Sequence, residues 1–448
     1  MIPFKLTDEF LEHIETLILD QKDTGLQLLL EEVHYADIAE IVNELNTADA
    51  TYIIKLLESD KTSDILTELD EDVRESILAN LSTKEIAEEL DELDTDDAAD
   101  IVAELPQNIV QEVISELEDR EHAKDIVDLL RYDEYSAGGL MAKELVKVNV
   151  NWNVLTCVKE MRAQAENVTR VHSIYVVDDE EKLKGRLSLK DLLTTSTKTH
   201  IKDVYIPKVD SVSVNEKPEE IAKIMSKYDL EAIPVVDEIG RLVGRITIDD
   251  IVDVIKDEAD KDYQMAAGIS QDVEADDSIL DLTKARLPWL ILGLFGGVGS
   301  ATIMGTFEGV IKDHLSLLLF TPLIAAMAGN VGVQSSAIVV QGIANDDLKG
   351  SMVNRLIKEI LLSALNGTIL AIILFCFAWL IEGDVKMALA ISISLIAVII
   401  VAGIIGTFVP IFLHKRGIDP AIATGPFITT SNDIFGIIIY FSIAKMFL

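Results

Sequence analysis

Asp433 stands near the midpoint of the last long apolar stretch, and at intervals of four, four and three it shares a helix face with Gly425, Thr429 and Gly436. A carboxylate at lipid depth is costly and is retained where a function needs it. Small residues let helices approach closely, and hydroxyls beside a carboxylate suit an oxygen-lined path for water and cations; a protonated Asp bonded between helices is the structural alternative. A second polar interruption, Gly329-Asn330-Val331-Gly332-Val333-Gln334, follows Pro322 in another apolar run. Its glycines loosen the helix, and its amides need partners in lipid. One carboxylate per chain is too few for a dry Ca2+ cage and suits a hard cation that keeps most of its water, as Mg2+ does. No Cys, Met or His cluster accompanies it, which disfavours soft or imidazole-seeking metals.

Other carboxylates crowd the opposite end of the chain. The formal charge of -39 arises from 77 acidic and 38 basic residues, and the segment after Lys284 is neutral, so the excess lies on residues 1–284. Such a charge excludes nucleic acid as a partner, because phosphate binding rests on Lys and Arg, and it favours cationic partners. Asp96 and Asp100 stand i, i+4 on one helix face, and Asp250 and Asp253 stand i, i+3 on another. These faces repel unless a cation lies between them.

The elements that position these groups follow from hydrophobic periodicity. Five segments of membrane-spanning length, near residues 287–307, 315–343, 360–381, 387–412 and 421–444, place the termini on opposite sides of a bilayer. Lys284, Arg286, Lys349, Arg355, Lys358, Lys415 and Arg416 flank one side, against Lys312, Lys386 and Lys445 on the other. The bias toward positive charge inside predicts a multi-pass plasma-membrane protein with cytoplasmic N-terminal domains and an extracellular C-terminus. No cleavable signal pattern is visible in MIPFKLTDEF, and Cys157 and Cys376 imply no disulfide framework.

Residues 36–130 repeat with a period of twelve, from Leu45, Leu57 and Leu69 to Leu129, with Val42, Ile54, Leu66 and their counterparts three positions earlier. Twelve residues allow one short helix and a turn, which predicts an all-helical superhelix. A second repeat has a period of 59: Tyr175-Val-Val-Asp178 with Gly185 to Asp191 recurs as Pro234-Val-Val-Asp237 with Gly244 to Asp250. Each copy reads as two strands followed by a helix with Asp in its first turn.

Together these residues resemble the MgtE family of magnesium channels and transporters over essentially the whole chain. The resemblance is carried by Arg286-Leu-Pro-Trp289, Gly329-Asn330-x-Gly332-x-Gln334 and Gly425-Pro-Phe-Ile-Thr-Thr430-x-x-Asp433-x-x-Gly436. It implies a multidomain membrane protein: an acidic α-superhelical N domain (1–131), α+β tandem cystathionine-β-synthase (CBS) modules (132–199 and 200–248), a connecting or plug helix with linker (249–284) and a five-helix transmembrane domain (285–448). It also implies a homodimer in membrane lipid, with a pore between subunits lined by Asp433, Asn330, Gly329, Gln334, Gly425, Thr429 and Thr430. The regulatory Mg2+ set implied by the family adds Gly138, Glu219, Asp229, Glu258, Asp262 and Asp419 to Asp96, Asp100, Asp250 and Asp253. In CBS modules the hydroxyl and Asp of Gly-x-x-Ser/Thr-x-x-Asp hold a nucleotide, so Ser188, Asp191 and Thr247 with Asp250 are candidates for ATP or another adenine nucleotide.

The expected function is uptake of Mg2+, both substrate and regulator, down its electrochemical gradient, with no enzymatic activity. No P-loop or phosphorylatable-Asp motif suggests ATP-driven pumping. Two readings compete with it: a membrane-anchored sensor of Mg2+ or nucleotide, and a broader carrier of Co2+, Mn2+ and Ni2+.

Overall fold

The computed structural model describes residues 5–165, 168, 170–271, 273, 277–344, 351–423 and 425–448; Lys349 of the charge pattern lies outside them. The chain divides into two compact units, Met1–Ile255 and Lys256–Leu448.

The first unit opens with ten helices, α1 (Asp8–Leu19), α2 (Asp23–Glu31), α3 (Tyr35–Asn43), α4 (Thr47–Leu56), α5 (Ser59–Thr67), α6 (Glu71–Leu78), α7 (Thr83–Leu90), α8 (Thr95–Glu104), α9 (Gln107–Glu116) and α10 (Arg120–Leu129). From α3 onward each twelve-residue repeat supplies one helix. Several repeats begin on a capping side chain: Asn46 accepts from the amides of Ala48 and Asp49, and Ser82 forms a reciprocal capping box with Glu85. Short helices cannot stand alone, and here each packs on its next-but-one neighbour: α3 on α5, α5 on α7, α7 on α9, α4 on α6, and α8 on α10. The sequence-periodic residues form the seam, with Val42, Leu66, Leu90 and Ile126 fully buried.

Two small sheets follow. In the first, β1 (Val146–Asn149) runs parallel to β2 (Ile174–Val177), which pairs antiparallel with β3 (Leu183–Leu187). The short β4 (Ile206–Pro207) joins β3, so this sheet extends past residue 200. The second sheet contains β5 (Val212–Ser213), β6 (Ala232–Val236) and β7 (Leu242–Thr247) with the same pattern of one parallel and one antiparallel pairing. Helices α11 (Val154–Gln164), α12 (Leu189–Thr194) and α13 (Pro218–Tyr228) accompany the sheets. Corresponding turns of the two modules pair with each other: Leu183 donates its amide to Gly240 (3.1 Å) and Leu242 to Glu181 (3.0 Å). This reciprocity is what a 59-residue repeat folded about a local two-fold produces.

Helix α14 (Ile248–Ala267) begins in the first unit and ends in the second. Five helices of the second unit are long and apolar enough to cross a membrane: α15 (Ile279–Thr306), α17 (Leu317–Ala344), α18 (Met352–Glu382), α19 (Val385–His414) and α20 (Gly425–Phe447). A short helix, α16 (Glu308–Asp313), stands between the first two. Helices α17, α19 and α20 share the apolar core through Phe320, Ile324, Leu395, Val398 and Phe441, and the Tyr440 hydroxyl donates to the Leu317 carbonyl at 3.0 Å. The apolar surface of α15 is largely exposed, as expected of a surface that lipid or another chain covers.

Candidate functional site

Helices α17 and α20 bring the two polar interruptions of the sequence together. Gly329 faces the Thr429 side chain, Gly332 faces Ile428 and Asn432, and Gly436 faces Ala328, so the helices run antiparallel with small residues at their crossing. Close approach of this kind needs hydrogen in place of a side chain. Asp433 lies between Thr429 and Gly436 on this face and is half-buried. Among the described residues no basic group reaches it. Thr429 donates its hydroxyl to the carbonyls of Gly425 (3.2 Å) and Pro426 (3.1 Å), one turn back along its own helix.

Asn330 and Gln334 lie one helical turn apart and are both exposed on α17, whereas Gly329 is buried. In lipid two exposed amides are unfavourable; they need water, an ion or another protein surface beside them. Gly425 begins α20 with a φ of +49°, and its Cα sits so close to the Ala266 carbonyl of α14 that no Cβ fits. Thr430 differs from the expected lining set. One residue on from Thr429 it is turned by about 100°, and it packs against Gly296 of α15.

A second membrane carboxylate escaped the sequence reading. Helix α18 starts at Met352 rather than near 360, so it takes in Glu359. Ser335 of α17 donates to Glu359 Oε1 at 2.7 Å and Ser363 at 3.3 Å, while Gly403 of α19 leaves space for the carboxylate. The signal available in the sequence was the i, i+4 pair Glu359–Ser363 at the edge of an apolar run.

The acids of the first unit gather where α8 meets the start of α14. Asp96, Asp97 and Asp100 of α8 feel the field of Asp250, and desolvation is the largest influence on each. Asp96 is held well above the ordinary carboxylate range, Asp97 is raised to about 7 and Asp100 to about 6. Desolvation raises Asp250 as well, opposed by hydrogen bonds from the Thr247 amide (2.9 Å) and hydroxyl (2.7 Å). Asp94, Asp96 and Glu144 can bring one oxygen each within 4.8 Å of one another. Arg245 reaches Asp94 at 3.1 Å, and Thr95 donates its hydroxyl to Glu144 at 2.8 Å. Sequence spacing pointed to Asp96, Asp100 and Asp250 but missed Asp97, and it missed Asp94 and Glu144, which are held by contacts separated by about fifty residues or more.

The remaining candidates are scattered. Asp253 is exposed one turn further along α14. Gly138 donates its amide to Val214 at 2.9 Å, so its carbonyl is what it could offer a cation, and the Tyr132 ring allows no Cβ there. Glu219 is in the first turn of α13, whereas Asp229 caps its far end with a φ of +51°. About 15 Å of helix separates them, too far to share an ion. In the second unit Glu258 and Asp262 of α14 stand near Asp419, and Asp262 is raised by desolvation first and then by Asp419 and Glu258. Glu258 also pairs with Lys261 at 3.3 Å. Asp419 accepts from the Ala421 amide at 2.8 Å.

In the CBS-like modules Ser188 and Asp191 form a reciprocal cap of α12, with the hydroxyl donating to the carboxylate at 2.8 Å and accepting from the Asp191 amide at 3.1 Å. This pair is open to solvent, while Thr247 is buried and its Asp250 belongs to the acid row.

Known proteins share this arrangement. The family profile described as a divalent cation transporter, MgtE, matches residues 321–443; the MgtE intracellular N domain matches 33–135, and the CBS domain matches 137–197 and 201–257. A magnesium transporter MgtE of Bacillus subtilis is 32% identical over 442 residues, covering 98% of each chain. Its counterpart from Enterococcus faecalis is 36% identical over 329 residues, 73% of this chain and 72% of the relative. A crystal structure of the cytosolic domain of the Mg2+ channel MgtE in complex with ATP is 32% identical, with a TM-score of 0.51, and covers 55% of this chain and 99% of that one. With its superhelix, CBS pair and five membrane helices in the same order, the chain belongs to the MgtE family of magnesium transporters.

Proposed function

We propose that this chain conducts Mg2+ into the cell as a homodimer, through a pore lined by α17 and α20 of both subunits. The carrying observation is that Asp433 has no basic partner among the described residues, and Asn330 and Gln334 expose two amides on the adjoining helix. A second copy on this face would cover the amides and place a second Asp433 across the path. Two carboxylates offset the charge of one Mg2+ while most of its waters stay bound, and the amides hydrogen-bond those waters. The membrane potential supplies ~2.3 kcal/mol per charge per 100 mV, so uptake needs no hydrolysis. The positive flanks of the spans support a cytoplasmic first unit and an extracellular C-terminus.

Closure by internal Mg2+ belongs to the same reading. Apposing α8 and α14 collects carboxylates that repel, and a bound Mg2+ replaces the protons they otherwise take up, so the apposed state is the ion-loaded one. Glu258, Asp262 and Asp419 offer a second such place, joining α14 to the loop before α20. ATP, bound by the crystallised cytosolic domain of the relative, is the nucleotide to test at the open Ser188–Asp191 pair.

Flux of Mg2+ into proteoliposomes, with and without Mg2+ on the cytoplasmic side, tests the proposal on wild type and Asp433→Ala. Wild type should conduct and be inhibited by cytoplasmic Mg2+, and Asp433→Ala should not conduct. Equal conduction in both proteins would remove Asp433 from the pore, and wild-type flux no greater than that of protein-free liposomes would leave the membrane-anchored sensor as the better reading.

A further inference from the structure

We propose that Asn432 is a positioning residue, setting the rotation of α20 and hence the direction of the Asp433 carboxylate; this rests on the reading of Asp433 as an ion ligand. Asn432 is 1% exposed, buried more deeply than the carboxylate beside it. Its Nδ2 donates to the Ala328 carbonyl of α17 at 3.3 Å. The amide fills a notch that exists because residue 332 is glycine, since a Cβ there would overlap Asn432 Nδ2. Helix α19 backs the same notch, where Gly406 lies against the Gly332 carbonyl with no room for a side chain of its own. Glycines at 332 and 406 thus let α20 and α19 both close on α17 at this level.

An apolar residue would fill the notch without the cost of desolvating an amide. Asn432 Oδ1 has no partner among the described residues, so the side chain bears that cost for a single hydrogen bond. What the bond adds over apolar packing is direction. An amide held on a backbone carbonyl fixes the angle of the helix that bears it, and the next residue leaves that helix about 100° further round. With Asn432 turned into α17, Asp433 is aimed alongside α17 toward the Gly329 edge rather than into the helix. A small rotation of α20 would bury the carboxylate in the crossing or swing it toward α15.

The test compares variants in the full-length reconstituted protein. Asn432→Leu keeps the volume and loses the donor. Gly332→Ala keeps the donor and fills the notch. Both should raise the half-saturating Mg2+ concentration by about tenfold, short of the ~100-fold that a 1 Å misplacement can cost a reacting group, and both should lower the ratio of Mg2+ to Ca2+ flux. The double variant Gly332→Ala with Asn432→Ala removes the clash but not the missing donor, so it should regain maximal flux relative to Gly332→Ala while half-saturation stays high. A residue that only packs would change thermal stability and leave half-saturation and ion preference at wild-type values, and that result overturns the proposal. If Asn432→Leu fails to insert, Asn432→Gln, which keeps the amide but lengthens it, supplies the same readout, and wild-type half-saturation there overturns it equally. Asp433→Ala is measured in parallel. Conduction by that variant defeats the reading of the pore itself, whereas its silence beside an unaltered Asn432→Leu defeats the positioning role alone.

Discussion

Asp433 and the acid row of α8 and α14 are the two carboxylate sites of this chain that matter here, yet they differ in company. Asp433 is the lone carboxylate of its helix crossing among the described residues, and in the proposed function the second charge comes from another copy of the chain. Asp96, Asp97, Asp100 and Asp250 already crowd one another within a single chain, and their affinity for protons is raised, by desolvation first and by their neighbours' charge second. A solitary acid attracts a cation without binding it so tightly that passage stops. A crowded row gains most from a bound divalent ion and therefore reports its concentration. In the proposed function the two regions apply the same chemical group to conduction and to counting.

The largest expected effect lies at the solitary acid. Asp433→Asn keeps size and polarity but removes the charge, and Mg2+ flux should fall at least about 100-fold, the equivalent of ~2.7 kcal/mol in a barrier. Radiotracer or fluorescent-dye uptake into proteoliposomes measures it. Substantial flux through Asp433→Asn would erase the distinction between the two regions.

Neutralising the crowd should have a different signature. In the variant Asp97→Asn with Asp250→Asn, maximal flux should be retained while the cytoplasmic Mg2+ concentration for half-inhibition rises roughly tenfold, within the usual range of coupling between sites. Patch recordings at graded internal Mg2+ check this, and unchanged half-inhibition would remove the row from the regulatory mechanism.

How much of this the sequence revealed depended on the distance over which residues act. The twelve-residue repeat was legible because Val42, Leu66 and Leu90 each serve a helix of their own length. The 59-residue repeat gave β2–β3 and β6–β7 because each pair and its turn are contiguous. Gly425, Thr429, Asp433 and Gly436 could be placed on one face by helical spacing alone. Thr430 could not be assigned, because its direction depends on where α15 lies. Glu144 and Asp94 gave no local sign of meeting, since Thr95 and Arg245 bring them together across the fold. Glu359 was hidden by a helix that outruns its apolar core.

Acidity should move the crowded region and spare the solitary one over the physiological range. Asp97 and Asp100 titrate in the fold near 7 and 6, above the ~3.9 of an unfolded aspartate. Between those values the folded state holds protons that the unfolded state has released, so stability falls as pH rises through the window. In Mg2+-free protein the melting midpoint should drop by roughly 3 °C or more from pH 5 to pH 8, and saturating Mg2+ should flatten the slope by displacing the protons. Both residues are exposed, so solvent screening already holds the effect to a few degrees and high salt should shrink it further. A midpoint independent of pH without Mg2+ would mean that the row is not strained by its own charge.

The smallest effect is expected at Glu359, and it sharpens the comparison by supplying a third kind of carboxylate. Unlike Asp433 it is held by two hydroxyls, those of Ser335 and Ser363, inside its own chain. A carboxylate whose acceptor is already taken has less to offer a passing ion, and its evident effect is to tie α17 to α18 beside Gly403 of α19. Glu359→Gln retains an acceptor oxygen of nearly the same reach. Hydrogen bonds between membrane helices average ~0.6 kcal/mol; the Ser335 bond is of this kind, and with the longer Ser363 bond inside α18 the two are worth about 1 kcal/mol, so flux should change by no more than about fivefold. Glu359→Ala leaves both hydroxyls without that partner and should lower the melting midpoint further, with Mg2+ half-saturation unchanged. Gly403→Ala should resemble it, because a methyl group there displaces the carboxylate. Were Glu359→Gln to silence the protein as Asp433→Asn is expected to, a charged Glu359 would be required for conduction, and the ion path would have to pass the α17–α18 contact as well as the α17–α20 crossing.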